Sequence, residues 1–240
     1  MTIVRALLLG GAALFLIALE PLPAEPASTN APTATEPLVP IKRKIKAVNV
    51  DGRSVVVNRP GVITLLIGTG EDSQDGARLA GATVYPFQGR PDFQLVVVVD
   101  LRDSVATWVP TVVLSTMRSN LDHEAIGLKP WFVKNGNNSD PRKNQCVIAD
   151  FSGTICPLLG WQAGSDDLRG ILFDAEGMEI KRWFKLEDMT KLQEDVHAAL
   201  EALVKTNEAK STGAVKSQGT KVIQPPKPPP PLPPAKGKKD

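Results

Sequence analysis

Apolar and polar residues alternate with a period of two at the start of the folded block. "IKAVNVDGRSVVV", residues 45–57, alternates around Asp51-Gly52, a turn pair that predicts a β-hairpin. After Pro60-Gly61, Val62–Ile67 is an unbroken apolar run, and "FQLVVVVD", 93–100, is a β-branched one. Such runs predict strands covered on both faces. Between them Ser73–Ala82 reads as a helix. Pro110 fits the first turn of a helix running to about Ala125, with Val113, Met117 and Leu121 at four-residue spacing. "KNGNNSDPRKN", 134–144, is a loop, and "QCVIADFSG" is a strand ending at Asp150. "LRGILFDAEGMEIKRWF", 168–184, predicts two strands joined at Ala175-Glu176-Gly177. Met189, Leu192, Val196, Leu200 and Leu203 mark one face of a last helix, from near Asp188 to Lys205.

This order is hairpin, strand-helix-strand, helix, strand, hairpin, helix. The first two core strands, joined through a helix, must run parallel, and the last pair, joined by a tight turn, antiparallel. The expected fold is therefore α/β: a mixed sheet with helices on both faces, preceded by an N-terminal hairpin.

Composition sets the boundaries. Of 21 prolines, six lie between Pro21 and Pro40 and eight between Pro225 and Pro234. One central domain, residues 43–205, is thus expected between a Pro/Ala/Thr-rich tether, 25–42, and a disordered Lys/Pro-rich tail, 206–240. The net charge of +2 divides unevenly. Residues 205–240 hold eight lysines against Glu208 and Asp240, leaving the remainder mildly acidic, which excludes a basic nucleic-acid-binding domain. Arg5 followed by the apolar run Ala6–Leu19 and by Pro21 and Pro23 reads as a signal peptide, residues 1–24, ending at Ala24. The expected location is periplasmic or secreted, with no membrane span after cleavage; a retained N-terminal anchor is the alternative.

With "VNVDGRSVVVNRPGVITLLIGTG" at its head and "ILFDAEGMEIKRW" near its end, the element order resembles the thioredoxin-like superfamily, closest to exported TlpA and peroxiredoxin-type members. The resemblance covers roughly residues 43–204. "GWQAGSDDLRGILFDAEGMEI" is similar to the C-terminal part of the YtfJ-type exported proteins. Redox-active relatives carry Cys-x-x-Cys where the first core strand turns into its helix. Here that place holds Asp72, Ser73, Gln74 and Asp75. A thiolate at a helix N-terminus is the reactive group of that chemistry; a carboxylate caps a helix but does not attack a disulfide. The cis-proline that redox members place before the penultimate strand is replaced by Arg169-Gly170. The resemblance thus implies a redox-inactive binding or scaffold module, with Asp72 and Asp75 capping the helix. Its groove would be lined by Glu71, Asp72, Asp75, Trp161 and Arg169. The rival reading is a divergent thiol oxidoreductase that uses Cys146 and Cys156.

Those two cysteines lie ten residues apart around "DFSG". An exported chain invites a Cys146–Cys156 disulfide; two buried thiols that never meet are the alternative. Asp122-His123-Glu124 lacks a distant second histidine and reads as a solvated helix face, so neither a metal nor a cofactor is expected. "IQPPKPPPPLPPAKGKKD" is pre-extended and cationic, suited either to a protein partner in the cell envelope or to service as a spacer.

Overall fold

The computed structural model describes residues 40, 41, 43–162 and 166–217. The expected signal peptide, the tether as far as Val39 and the tail beyond Ser217 lie outside these residues. Strands β1 (Lys46–Val48) and β2 (Ser54–Val56) form an antiparallel two-stranded sheet. The Asn49 carboxamide oxygen shapes its turn by accepting from the backbone of Asp51 and Arg53. Five further strands make one sheet: β3 (Ile63–Thr69), β4 (Phe93–Asp100), β5 (Cys146–Asp150), β6 (Arg169–Phe173) and β7 (Glu179–Trp183). Their spatial order is β5-β4-β3-β6-β7. β3, β4 and β5 run parallel, β6 is antiparallel to β3, and β7 is antiparallel to β6.

The helices are α1 (Gln74–Thr83), α2 (Pro110–Lys134), α3 (Pro141–Asn144) and α4 (Met189–Ser217). Side chains alternate across a strand, so register sorts the core into two layers. Ile63, Leu65 and Ile67 of β3 and Leu172 of β6 pack with Ala80 of α1 and with Leu192, Val196 and Leu200 of α4. Val97, Val99, Val147 and Ala149, in the same rows, meet Val113 and Met117 of α2. The other face presents Leu66, Val96, Val98, Ile148, Ile171 and Phe173. It is covered by Ile45, Ala47 and Val57 of the hairpin region, by Leu159 of a 3-10 turn at Pro157–Leu159, and by Ile155 and Trp161 on either side of that turn. Cover is thus uneven: the long helices share one face, and the hairpin with one short turn closes the other.

The hairpin is fastened at several points. Asn58 accepts from Ile45 N at 2.9 Å and donates to the carbonyls of Arg43 and Gly177 at 2.9 and 2.8 Å. At its tip, Val50 N donates to Val147 O, covering the outer edge of β5, where an unpaired strand invites aggregation. Arg142 then ties Asp51 of the hairpin turn to Asp122 of α2 at 2.6 and 2.7 Å.

Several boundaries expected from sequence are corrected. The ordered domain begins before residue 43: Ile41 is buried in the hairpin-side core, and its N–H donates to the Glu179 carboxylate. The helix from Pro110 does not stop at Ala125. Leu128 and Phe132 extend its buried stripe, and Pro130 inside it does not end it before Lys134. Within 134–144, Asp140 caps the single turn of α3 by accepting from Arg142 N. The last helix passes Lys205 to Ser217, since no proline interrupts it there. The compact unit that holds the sheet ends at Leu203.

Leu66 is fully buried in the middle strand. Leu66→Ala should cost about 2–5 kcal/mol in urea unfolding, the range for emptying a buried leucine site.

Candidate functional site

In an open sheet with parallel strands, ligands bind beyond the carboxyl ends of the strands. β3, β4 and β5 end side by side at Thr69, Asp100 and Asp150. Each of the last two closes an apolar run with a carboxylate, and both carboxylates are fully used. Asp150, almost completely buried, accepts from the backbone of Thr154, Ile155 and Cys156 at 2.8–2.9 Å and so shapes the loop after β5. Asp100 takes a two-pronged contact from Arg102, at 2.8 Å through Nε and 2.5 Å through Nη2. Burial pushes the Asp100 carboxyl upward, but the Arg102 contacts outweigh it and hold the group below the usual carboxylate range. The Arg102 guanidinium also reaches the Trp161 carbonyl at 3.5 Å.

Beside this buried layer lies an open depression of about 130 Å³, lined by Glu71, Asp72, Asp100, Asp103, Ser104 and Asp166. Ser104 Oγ donates to the Glu71 carboxylate and accepts from Ala106 N. Burial, then the Asp72 and Asp166 carboxylates, push the Glu71 carboxyl above its ordinary range. The chain that follows exposes Val105, Trp108, Val109 and Val112, with Trp108 86% accessible.

The residues singled out from sequence are distributed as follows. Glu71 and Asp72 share the depression. Asp75 does not join them: its side chain is 98% exposed and pairs only with Arg78 on the helix surface, at 3.5 Å. Trp161 is buried under β3, its six-membered ring against Gly68. A Cβ at Gly68 would come within 2.3 Å of that ring, so glycine is required for the approach. Arg169 lies opposite Gly68 in the β3–β6 register, is nearly buried, and donates to Gln162 O at 3.2 Å. Asp100, Arg102, Ser104 and Asp150 belong to no motif; the acidic residue that ends both "VVVVD" and "CVIAD" is the signal the sequence holds for two of them.

The expected cap is corrected. α1 begins at Gln74, Ser73 holds the N-cap position, and no side chain caps that end. Asp72 precedes the helix within the turn. The Ser73 hydroxyl faces backward instead, accepting from Gly70 N at 3.0 Å and contacting Thr69 Oγ1 at 2.9 Å. It thereby locks the exit from β3 rather than the start of α1. The disulfide is corrected as well: Cys146 and Cys156 are free and buried. Cys146 opens β5, whereas Cys156 is bound to Asp150 at its far end. Four residue steps of strand separate those ends by about 13 Å, roughly twice the Cα separation a disulfide spans. Burial raises the Cys146 thiol to about 11. Burial, then the Asp100 and Asp150 carboxylates, raise Cys156 further. The Asp122-His123-Glu124 run is also dispersed: Asp122 binds Arg142, and Glu124 accepts from the Tyr85 hydroxyl at 3.5 Å. Among the described residues no metal-ligating group of three or more side chains occurs.

Asp72→Ala and Asp75→Ala should therefore leave stability unchanged, since neither side chain caps α1. Ser73→Ala should cost about 0.5–1.5 kcal/mol, the net worth of a hydrogen bond, read by thermal or urea unfolding.

No known family pattern matches the chain, and no curated protein matches it. Solved structures to which it is similar include StoA from Bacillus subtilis, at 12% identity and a TM-score of 0.41 over 64% of this chain and 96% of that one. The exposed lipoprotein thioredoxin of Streptococcus pneumoniae overlaps at 16% identity and 0.41 over 65% of this chain and 99% of that one. A secreted disulfide oxidoreductase of Mycobacterium tuberculosis overlaps at 14% identity and 0.39 over 64% and 95%. The strand order, rather than these overlaps, carries the assignment: three parallel strands, an antiparallel pair beside the first of them, and an N-terminal hairpin make this a thioredoxin-like fold.

Proposed function

We propose that the protein is an exported, redox-inactive thioredoxin-like module that binds or scaffolds a partner. The observation that carries this reading is the junction after β3. There the chain runs Gly70-Glu71-Asp72-Ser73 into α1, with carboxylates and a committed hydroxyl where dithiol chemistry needs a thiolate. An acidic depression repels a thiolate and raises its pKa, the reverse of what nucleophilic sulfur requires. The rival, a thiol oxidoreductase using Cys146 and Cys156, needs an accessible, acidic pair; both thiols are buried, and both are shifted upward.

Export rests on the N-terminal Arg5 and Ala6–Leu19 pattern, and no helix among the described residues is long and apolar enough to cross a membrane. The proposed partner is a protein of the cell envelope. It would be met through the Pro-rich tail, or through the depression at Glu71 and Asp72 with the exposed Trp108 beside it. Trp108 offers a large apolar face at low entropic cost, and the carboxylates favour a basic segment.

The protein should show no reduction of insulin disulfides and no peroxidase turnover at neutral pH. Both thiols should stay unalkylated in the native state through about pH 8, and be modified only on unfolding. Turnover abolished by Cys156→Ser or Cys146→Ser would refute the redox-inactive reading. Protonation links to stability with a definite sign. The folded-state pKa of Cys146 is raised to about 11. Its contribution is complete below the unfolded thiol's pKa, about 8.5, and is lost as pH rises through 11. Unfolding free energy should fall over that alkaline window, and less so in Cys146→Ala.

A further inference from the structure

A cavity lies at the opposite end of the sheet from the β3–α1 junction. Its volume is about 330 Å³, within the range of small-molecule sites. It opens where β4 outruns its neighbour: β5 pairs with β4 only from Val96 onward, so Phe93, Gln94 and Leu95 face the cavity along an unpaired edge.

Its wall is positive. Arg53, Arg59, Arg90 and Lys143 line it, and no carboxylate does. Asp92 neutralises Arg90 through two bonds of 2.8 Å. Asp51 faces Arg53 at 3.0 Å. Arg59 and Lys143 have no carboxylate partner among the described residues. Two positive charges are therefore left uncompensated at the rim.

The interior carries an unmet polar demand. Gln94 Oε1 and both amide atoms of Gln145 are buried without a hydrogen-bond partner, and both residues line the cavity. Buried amides are rarely left unpaired, because desolvating them without a replacement bond is costly. At Gln145 the demand is the same whichever way the amide is turned, since neither end is satisfied. Phe93 and Leu95 add apolar surface beside these groups.

We propose that this cavity binds a small organic dianion bearing an amide or hydroxyl donor. Its charges meet Arg59 and Lys143, and its polar body pairs with Gln94 and Gln145. The site is independent of the junction and of the reading of that junction as redox-inactive. Its ligand chemistry is also of opposite sign, because the depression at Glu71 favours cations.

The test is an amide-resolved NMR titration of the full chain with N-acetylglutamate, which carries two carboxylates and one amide. Succinate and inorganic phosphate serve as comparison probes. Saturable shifts at the Gln94 and Gln145 side-chain amides are expected, with succinate binding more weakly. The double variant Arg59→Gln, Lys143→Gln should lose at least about tenfold in affinity with an unchanged melting temperature, since both side chains are exposed and unpaired. Three results would each overturn the proposal: no saturation by about 10 mM N-acetylglutamate, equal binding by the double variant, or phosphate binding as tightly as N-acetylglutamate.

Discussion

All seven residues of β3 are buried, and the strand is bonded on both edges, to β4 in parallel and to β6 in antiparallel register. A strand so placed can stay dry only if two separate layers cover its faces, because its side chains alternate between them. The remaining architecture meets that requirement. α1 and α4 cover Ile63, Leu65 and Ile67, while the hairpin region and the 155–161 segment cover the face that carries Leu66. Gly68 marks the tightest point of the second layer, where the Trp161 ring lies against backbone with no room for a Cβ. The fastenings at Asn58, Arg142 and Val50 N hold the small two-stranded sheet on a surface that no long helix protects.

At the carboxyl end of the sheet the polar groups are committed to structure. Asp150 spends its carboxylate on three backbone donors, Asp100 is held by Arg102, and the Ser73 hydroxyl closes the turn out of β3. These groups are satisfied within the protein and offer little to a substrate. What remains open at this end is the acidic depression, with the apolar residues around Trp108 exposed beside it. Cys156, its backbone held by Asp150, has carboxylates on two sides. That setting disfavours the thiolate.

Charge is divided across the sheet along the strand direction. The carboxyl ends of β3 and β4 carry the acidic depression, and the amino end of β4 carries the positive cavity with Arg59 and Lys143. A net charge of +2 conceals this arrangement, as it conceals the basic tail. Two local fields of opposite sign can select different ligands on one small domain, since screening limits each to about 8–10 Å.

Local pattern alone determined the hairpin at Asp51-Gly52, the strands at 93–100 and 146–150, the closing β6–β7 pair and the amphipathic stripe of α4, because each is specified by periodicity and turn residues within one segment. The missing Cys-x-x-Cys was equally legible, since a residue type is either present or not. Tertiary structure decided the rest. Pro130 sits inside α2 because Leu128 and Phe132 carry its buried stripe past that point, and Ile41 belongs to the core because Glu179 receives its backbone. Asp72 and Asp75 were expected to cap α1, yet Ser73 holds the N-cap position with its hydroxyl taken by Thr69 and Gly70, and no side chain caps that end. Ten residues between Cys146 and Cys156 admitted a disulfide on paper. The length of β5 and the grip of Asp150 on the loop beyond it set the two sulfurs at opposite ends of a strand. Spacing along a chain limits how far apart two groups can be; only the path of the backbone between them fixes whether they meet.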